Sequence, residues 1–414
     1  MNVTITPTRL HGAVTPPPSK SQAHRLILAA ALGQGESRIS NVAFSQDILA
    51  TLSCMEQLGA QWKKLDAHTI SVTGLQGRRP LCCADGLPHF DCGESGSTLR
   101  FLIPIALAVA GGGVFTGHGR LMERPQKPYF DLFDEKGISH TLENGVLTVR
   151  GTLHAGEYAL AGNVSSQFFT GLLYALPLLE GDSRIVSTTA LESWGYIAMT
   201  LDALRLCGVA VTAPRAEEGS FAVPGGQRFC PIDGAVEADW SQAGFWYAAA
   251  ALGSDVEIQG MNARSEQGDR VVADAYEQLR RAGDVTLDVA QCPDLVPPLA
   301  AMAAVRQGRT EIVNAFRLRM KESDRLASVT AVLRAMGAEV EELPEGLIFH
   351  GADHLAGGVT VDAHNDHRIA MMAAMAAVRC TAPVTITGAE CVRKSYPDFW
   401  EVYERHGGRI TRED

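Results

Sequence analysis

HRIAMMAAMAAV, residues 367–378, is an apolar run rich in small residues, long enough for a helix and without a polar face. A helix that is apolar all round belongs inside a protein. This one begins abruptly after a polar segment, HNDHR (364–368). The same composition recurs in RLILAAAL (25–32), RFLIPIALAVA (100–110), QFFTGLLYALPLL (167–179), QAGFWYAAAAL (242–252) and PPLAAMAAV (297–305). Behind each run comes a β-like stretch: SRISNV, GVFTG, SRIVST, DVEIQG, RTEIVN and PVTITG. A second, amphipathic helix follows, clearest in DILATLSCMEQLGA, YIAMTLDALRLCGVA, RVVADAYEQLRRAG and ESDRLASVTAVLRAMGAEV. There the apolar residues fall at i, i+3, i+4 and i+7, and a Gly stops the helix before a strand.

The chain therefore carries six copies of one α/β unit, roughly 55 to 75 residues apart, too large for solenoid repeats. At 414 residues it exceeds one ordinary core, so the copies divide into two domains of three. The break is expected near PGGQRFCPIDG (224–234), rich in Gly and Pro, with a second crossing at prolines 16 to 18. One domain then comprises 1–18 plus 229–414 and the other 19–228, and the strand VTITP at the N-terminus belongs with the C-terminal half.

Composition narrows the function. The formal net charge is −11, against a nucleic-acid partner, which needs a basic face. Small anionic ligands need only a few local cations. No stretch reads as a membrane span or signal peptide. The nine cysteines show no CxxC, no metal spacing, and fit a reducing cytoplasm.

The informative residues stand just before the apolar helices: SKSQAHR (19–25), CGESGSTLR (92–100), GNVSSQ (162–167), ADWSQ (238–242), CPDLV (292–296) and HNDHR (364–368). Most offer a Ser, Thr, Asn or Asp cap, and for ADWSQ capping alone and a functional role are equally open. Capping does not need Lys20, Arg25, Arg100 or Arg368. A helix N-terminus is already positive and attracts anions; a cation there is unfavourable for the helix unless an anion is bound. GESGST (93–98) has the glycines and hydroxyls of a phosphate nest without a P-loop ending. Further cations lie in LMERPQKP (Arg124), RMKESDRL (Lys321, Arg325) and RKSYPDFW (Lys394). Glu322 and Arg325 also have the spacing of a plain helix-surface ion pair, and Asp294 is either a cap or a buried acid. His364 and His367 lack a third partner at metal spacing.

In this order, PSKS, GxSGxTxR, ERP, SSQF, PD, KESDR and NDHR resemble the enolpyruvyl transferase family, specifically its shikimate 3-phosphate branch, through nearly the whole chain. The resemblance implies an α/β fold of two domains, each of three βαβαββ units, around an interdomain cleft that closes on substrates. It implies transfer of the carboxyvinyl group of phosphoenolpyruvate to the 5-hydroxyl of shikimate 3-phosphate, in a cytoplasmic, monomeric enzyme with no cofactor. Shikimate 3-phosphate would meet Lys20, Ser21, Arg25, Ser193, Tyr196, Asp294 and Lys321, with Ser165, Ser166 and Gln167 on its phosphate. Phosphoenolpyruvate would lie against Lys20, Gly96, Arg124, Gln167, Arg325, Arg368 and Lys394. Lys20, Asp294 and Glu322 would move protons, with His367 beside them. Lys20, crowded by cations, would have the lowered pKa of an acid. Gly96 would leave room for glyphosate.

Two positions depart from the family pattern: Glu94 and Arg317 stand where asparagine is common. Two other readings use parts of the same pattern. The sister enzymes that act on UDP-N-acetylglucosamine typically carry Lys-Asn at the Lys20-Ser21 position and a reactive Cys in a first-domain loop; GGGVFTGHGRLMERP (111–125) has none. A non-catalytic phosphometabolite binder would keep the cations and lose Asp294, Glu322 or Lys20.

Overall fold

The computed structural model describes residues 1–75, 78, 80–213 and 219–413. The chain forms two compact units, Lys20–Glu237 and Met1–Ser19 with Ala238–Asp414. Twelve α-helices occur among the described residues: α1 (Lys20–Leu32), α2 (Gln46–Gln57), α3 (Gly96–Ala110), α4 (Lys127–Lys136), α5 (Ser166–Ala175), α6 (Trp194–Leu206), α7 (Trp240–Ala251), α8 (Val272–Leu279), α9 (Val296–Ala303), α10 (Arg325–Ala335), α11 (His367–Ala376) and α12 (Phe399–Arg405). The six apolar runs are α1, α3, α5, α7, α9 and α11. Each is buried along most of its length, and every residue of α11 is. In the discontinuous unit α7, α9 and α11 pack on one another.

Six small sheets surround these helices, three in each unit. The fullest share one plan. Val285–Asp288 pairs in parallel with Arg309–Val313, across which α9 makes the crossover. Gly346–His350 then pairs antiparallel with the second strand, and Glu339–Leu343 closes the hairpin. His89–Asp91, Gly112–Thr116, Val146–Arg150 and Ser139–Glu143 repeat that order around α3. All six expected β-like stretches are the second strand of such a set.

Three sheets are completed from distant sequence. Asn2–Thr6 pairs with Val384–Thr387 and with Arg409–Glu413. Asp233–Ala235 pairs in parallel with Glu36–Ser40, which keeps residues up to Glu237 with the inserted unit, beyond the Gly- and Pro-rich stretch. His11–Val14 pairs in parallel with Asp255–Ile258. The strands before α1 and α7 are thus exchanged between repeats, each ahead in sequence of one repeat's helix and paired into another's sheet.

The buried helices also settle local costs. Pro104 inside α3 has no N–H for the Arg100 carbonyl one turn back. The Tyr129 hydroxyl donates to that carbonyl instead, at 2.9 Å. It fits because residue 171 is glycine: a Cβ there would lie 2.4 Å from the Tyr129 oxygen. This places α4 and α5 against the first turn of α3, where Arg100 stands.

Candidate active site

The helix starts of each unit gather the chemistry-bearing residues into a cluster. In the discontinuous unit the centre is Arg325, the first residue of α10 and 1% exposed. Its guanidinium touches three carboxylates: Asp294 at 2.8 Å, Glu322 at 2.7 Å and Asp366 at 2.7 Å. Glu322 is therefore an ion pair, and a buried one rather than a surface one. Asp366 caps α11 by accepting from the Arg368 N–H at 2.9 Å, and also accepts from the Ser323 hydroxyl at 3.1 Å. Asp294 sits in the 3-10 turn Pro293–Leu295 that leads into α9. Lys321 lies 3.3 Å from its carboxylate, and Arg368 3.5 Å. Burial works against the Asp294 carboxylate, but Lys321, Arg368 and Arg325 hold its pKa well below the usual range. Burial lowers the pKa of Lys321. Lys394 donates to the Asn365 carbonyl at 2.6 Å, beside the α11 cap, and His367 is buried with its Nδ1 3.9 Å from Asp366.

Asp269 joins this cluster from the 3-10 turn Gly268–Val271. Burial and the nearby Asp294 push its pKa up to about 7, against the pull of Arg368. Arg317 is buried and donates to the Ala290 carbonyl. Five cations (Arg317, Lys321, Arg325, Arg368, Lys394) thus face four carboxylates (Asp269, Asp294, Glu322, Asp366). Asp239, buried at the α7 start, also acts on Asp269, so the fully ionised set is balanced and a positive surplus arises when Asp269 is protonated. A buried surplus of this kind is costly until an anion arrives.

The inserted unit holds the second cluster. Lys20, the first residue of α1, lies 2.6 Å from Asp47 in the first turn of α2. The sequence expectation surrounded Lys20 with cations only; Asp47 is its counter-ion. Arg25 is 1% exposed. It donates to the Ser21 and Tyr196 carbonyls at 2.7 and 3.1 Å and to the Thr200 and Thr170 hydroxyls at 2.8 and 3.4 Å. No carboxylate pairs with it among the described residues. Burial brings its pKa down to about 10, with Tyr174 and Tyr196 opposing, so it stays cationic at neutral pH. Its Nε, one N–H of Nη1 and one of Nη2 are engaged with these protein oxygens.

Ser165 caps α5, accepting from the Gln167 N–H at 3.3 Å, and Ser166 opens the helix. The Gln167 carbonyl accepts from Arg100 at 2.8 Å while its amide donates to Ser97 at 3.0 Å. Arg100 is held in turn by the Pro125 carbonyl at 2.9 Å and by the Phe168 ring. Gly96 opens α3 against the buried Arg124: a Cβ on residue 96 would lie 2.7 Å from its guanidinium. Ser193 is buried before α6 in the left-handed region, at φ 59°. A non-Gly residue held there is strained, as positions at functional sites often are. In the discontinuous unit Asp239 caps α7 through the Gln242 N–H at 3.0 Å, and its charge also reaches Asp269.

Residues 5–403 match the family model for EPSP synthase, 3-phosphoshikimate 1-carboxyvinyltransferase. The chain belongs to the EPSP synthase family. The 3-phosphoshikimate 1-carboxyvinyltransferase of Clostridium kluyveri is 44% identical over 99% of this chain and 98% of its own. That of Clostridium beijerinckii is 43% identical, over 98% of both chains. Among solved structures, EPSP synthase from Acinetobacter baumannii superposes with a TM-score of 0.80 at 25% identity, covering 99% of this chain and 100% of that one. Within this EPSP synthase chain three members of the clusters carried no assigned role in the sequence, Asp47, Asp269 and Asp366, and Arg100 stood out without an assigned ligand. Arg100 was visible as a cation at a helix start and Asp366 as a cap. Asp47 and Asp269 stand in helical first turns, where a carboxylate is ordinary, so they carried no signal.

Proposed function

We propose that the chain transfers the carboxyvinyl group of phosphoenolpyruvate to the 5-hydroxyl of shikimate 3-phosphate, giving 5-enolpyruvylshikimate 3-phosphate and phosphate. The observation that carries this reading is the Arg325 cluster: paired carboxylates and a lysine among buried arginines, in a chain that aligns end to end with 3-phosphoshikimate 1-carboxyvinyltransferases.

The reaction adds a proton to the methylene carbon of phosphoenolpyruvate. The 5-hydroxyl oxygen attacks the resulting cationic carbon and loses its own proton. The tetrahedral ketal phosphate then expels phosphate as the methyl group returns a proton. Asp294, ionised by its cation neighbours, accepts hydrogen bonds from ring hydroxyls beside Lys321. A carboxylate with so low a pKa is a weak base, but the attacking hydroxyl becomes strongly acidic as its C–O bond forms. Glu322 and Lys20 are the other proton-transfer groups, and His367 supports the α11 start. Arg124, Arg325, Arg368 and Lys394 hold phosphoenolpyruvate, with Gly96 giving Arg124 its approach; charge-assisted contacts of this kind are the strong ones. Ser165, Ser166 and Gln167 take the 3-phosphate at the α5 N-terminus. Gln167 has one side-chain N–H to offer the ligands, because its carbonyl is committed to Arg100, its other amide N–H to Ser97 and its backbone N–H to Ser165. Ser21, Arg25, Ser193 and Tyr196 complete that side.

The enzyme works as a cytoplasmic monomer. Among the described residues no helix is long and apolar enough to cross a membrane. The test is phosphate release from phosphoenolpyruvate with shikimate 3-phosphate or UDP-N-acetylglucosamine as acceptor, with Lys20→Met as control. Release with shikimate 3-phosphate alone, abolished in the control, is expected; release only with the sugar nucleotide refutes the assignment.

A further inference from the structure

His24 lies one helical turn beyond Lys20 on α1, and Thr51 one turn beyond Asp47 on α2. Residues four apart share a helix face. The two helices are therefore joined by two rungs: Lys20 to Asp47 at 2.6 Å and His24 Nδ1 to the Thr51 hydroxyl at 2.7 Å. The second rung continues. Thr51 lies 2.7 Å from the Thr98 hydroxyl, and Thr98 2.8 Å from that of Ser95. Ser95 caps α3 directly before Gly96, and the His24 ring meets Phe101 of α3 edge-on. One imidazole thus touches α2 and α3 from α1 and is fully buried.

The ring's state follows from its surroundings. Its Nε2 is buried with no hydrogen-bond partner among the described residues. A buried unpaired N–H is rarer than an unpaired acceptor, so the proton sits on Nδ1 and is donated to Thr51. Thr51 can then donate onward to Thr98 or to the Asp47 carbonyl at 3.3 Å. Burial, Lys20 and Arg25 all disfavour a charged ring. The upper rung is neutral where the lower one is ionic.

We propose that His24 is a positioning residue of the transfer reaction, which through Thr51, Thr98 and Ser95 sets where Lys20 and Asp47 stand relative to the α3 N-terminus and Gly96. The ionic rung alone does not do this, because a lysine stem is long and follows a sliding helix. A one-residue slip of α1 along α2 moves Lys20 by about 1.5 Å. The His24–Thr51–Thr98 line is short, buried and directional, and such a slip breaks it. The proposal rests on the reading of Lys20 and Gly96 as substrate contacts.

The experiment compares His24→Leu, His24→Asn and Thr51→Val with Lys20→Met in steady-state kinetics, varying each substrate separately, alongside thermal melts. His24→Leu fills similar space without a donor; His24→Asn keeps a donor near the Nδ1 position; Thr51→Val removes only the hydroxyl link. Loss of the line is expected to raise KM for phosphoenolpyruvate and lower kcat, together about tenfold to a hundredfold in kcat/KM. KM for shikimate 3-phosphate, which loses the Lys20 contact but keeps its phosphate contacts on α5, should rise clearly less than that for phosphoenolpyruvate. His24→Asn should recover most of the loss, and His24→Leu with Thr51→Val should be clearly non-additive. A purely structural role would lower the melting temperature and the active fraction with both KM values unchanged, and that result overturns the proposal. If His24→Leu does not fold, Thr51→Val decides by the same split. If Lys20→Met retains full activity, the reading of Lys20 fails and the proposal falls with it. If only Lys20→Met is impaired, the proposal alone fails.

Discussion

Gly96→Ala gives a test whose size can be worked from distances. The new Cβ would stand 2.7 Å from one terminal nitrogen of Arg124 and 2.9 Å from its Cζ and other nitrogen. Ordinary contact between such atoms is about 3.5 Å or more, so the guanidinium must retreat by about 0.8 Å. It can, because it ends a flexible side chain. The backbone at Gly96 is helical rather than left-handed, and Ala is the better helix former by up to about 1 kcal/mol. Stability should therefore change by less than about 1 kcal/mol. The loss falls on whatever Arg124 holds. A shift approaching 1 Å in a substrate clamp costs up to about a hundredfold, which is roughly 1.4 to 2.8 kcal/mol of transition-state stabilisation for tenfold to a hundredfold. The assay is initial-rate kinetics with each substrate varied. KM for phosphoenolpyruvate should rise steeply, KM for shikimate 3-phosphate should hold, and the melting temperature should stay near wild type. An unchanged kcat/KM for phosphoenolpyruvate would refute the placement of Arg124 on that substrate.

Three further outcomes follow from the same geometry. Arg325→Met leaves Asp294, Glu322 and Asp366 without their shared cation, and should destabilise the folded protein by about 3 to 5 kcal/mol, read by urea unfolding; a loss under about 1 kcal/mol would show that the guanidinium is not their common partner. Asp269, with its pKa raised to about 7 in the folded state against about 3.9 unfolded, contributes stability that is full below pH 4 and lost as pH rises to 7. Asp269→Asn should therefore gain melting temperature over wild type between pH 4 and 8, and a difference that stays flat sinks the assignment. Glyphosate should compete with phosphoenolpyruvate at the Gly96 side of the site, and failure to displace bound phosphoenolpyruvate at high inhibitor concentration would exclude that overlap.

The buried helices could be read from sequence because each is apolar on all faces, which surface helices are not, and each begins with a polar segment whose cations capping does not require. The second helices were readable where an amphipathic pattern ran ten residues or more, and not in α4 or α12. α4 begins Lys-Pro, and α12 has only seven residues. Strand order was hidden because pairing partners such as Asn2–Thr6 and Val384–Thr387 are set by the sheet they complete, not by neighbours in sequence. The same holds for charge partners. Lys20 and Asp47 are 27 positions apart, and Arg325 and Asp366 are 41 apart. Nothing local distinguishes these carboxylates from helix caps. Of the two departures from the family pattern, Arg317 finds the Ala290 carbonyl, and Glu94 is half-buried two residues before Gly96.

The charge distribution explains why so acidic a chain can be built around anions. The whole protein carries −11, yet the Arg325 cluster gains a positive surplus once Asp269 is protonated, and Arg25 is buried with neutral oxygens alone. Solvent screens the surface excess within about 10 Å, whereas buried charges at helix starts are screened far less. The carboxylates there answer a second need. Without Asp294, Glu322 and Asp366, Arg325 would be an isolated buried ion and the unliganded fold would bear its full desolvation cost. With them its charge is met, and the carboxylate charge beyond that is shared with Lys321 and Arg368, which also reach Asp294. Asp269 tunes the positive surplus. Protonated, it raises the positive charge facing the ligand; ionised, it lowers it. Arg325 keeps its three carboxylates, Arg368 donates to the Asp294 carbonyl at 3.1 Å and stands 3.5 Å from its carboxylate, and Lys394 donates to the Asn365 carbonyl at 2.6 Å, so the cations at the α11 start are held by carbonyls as well as by a carboxylate.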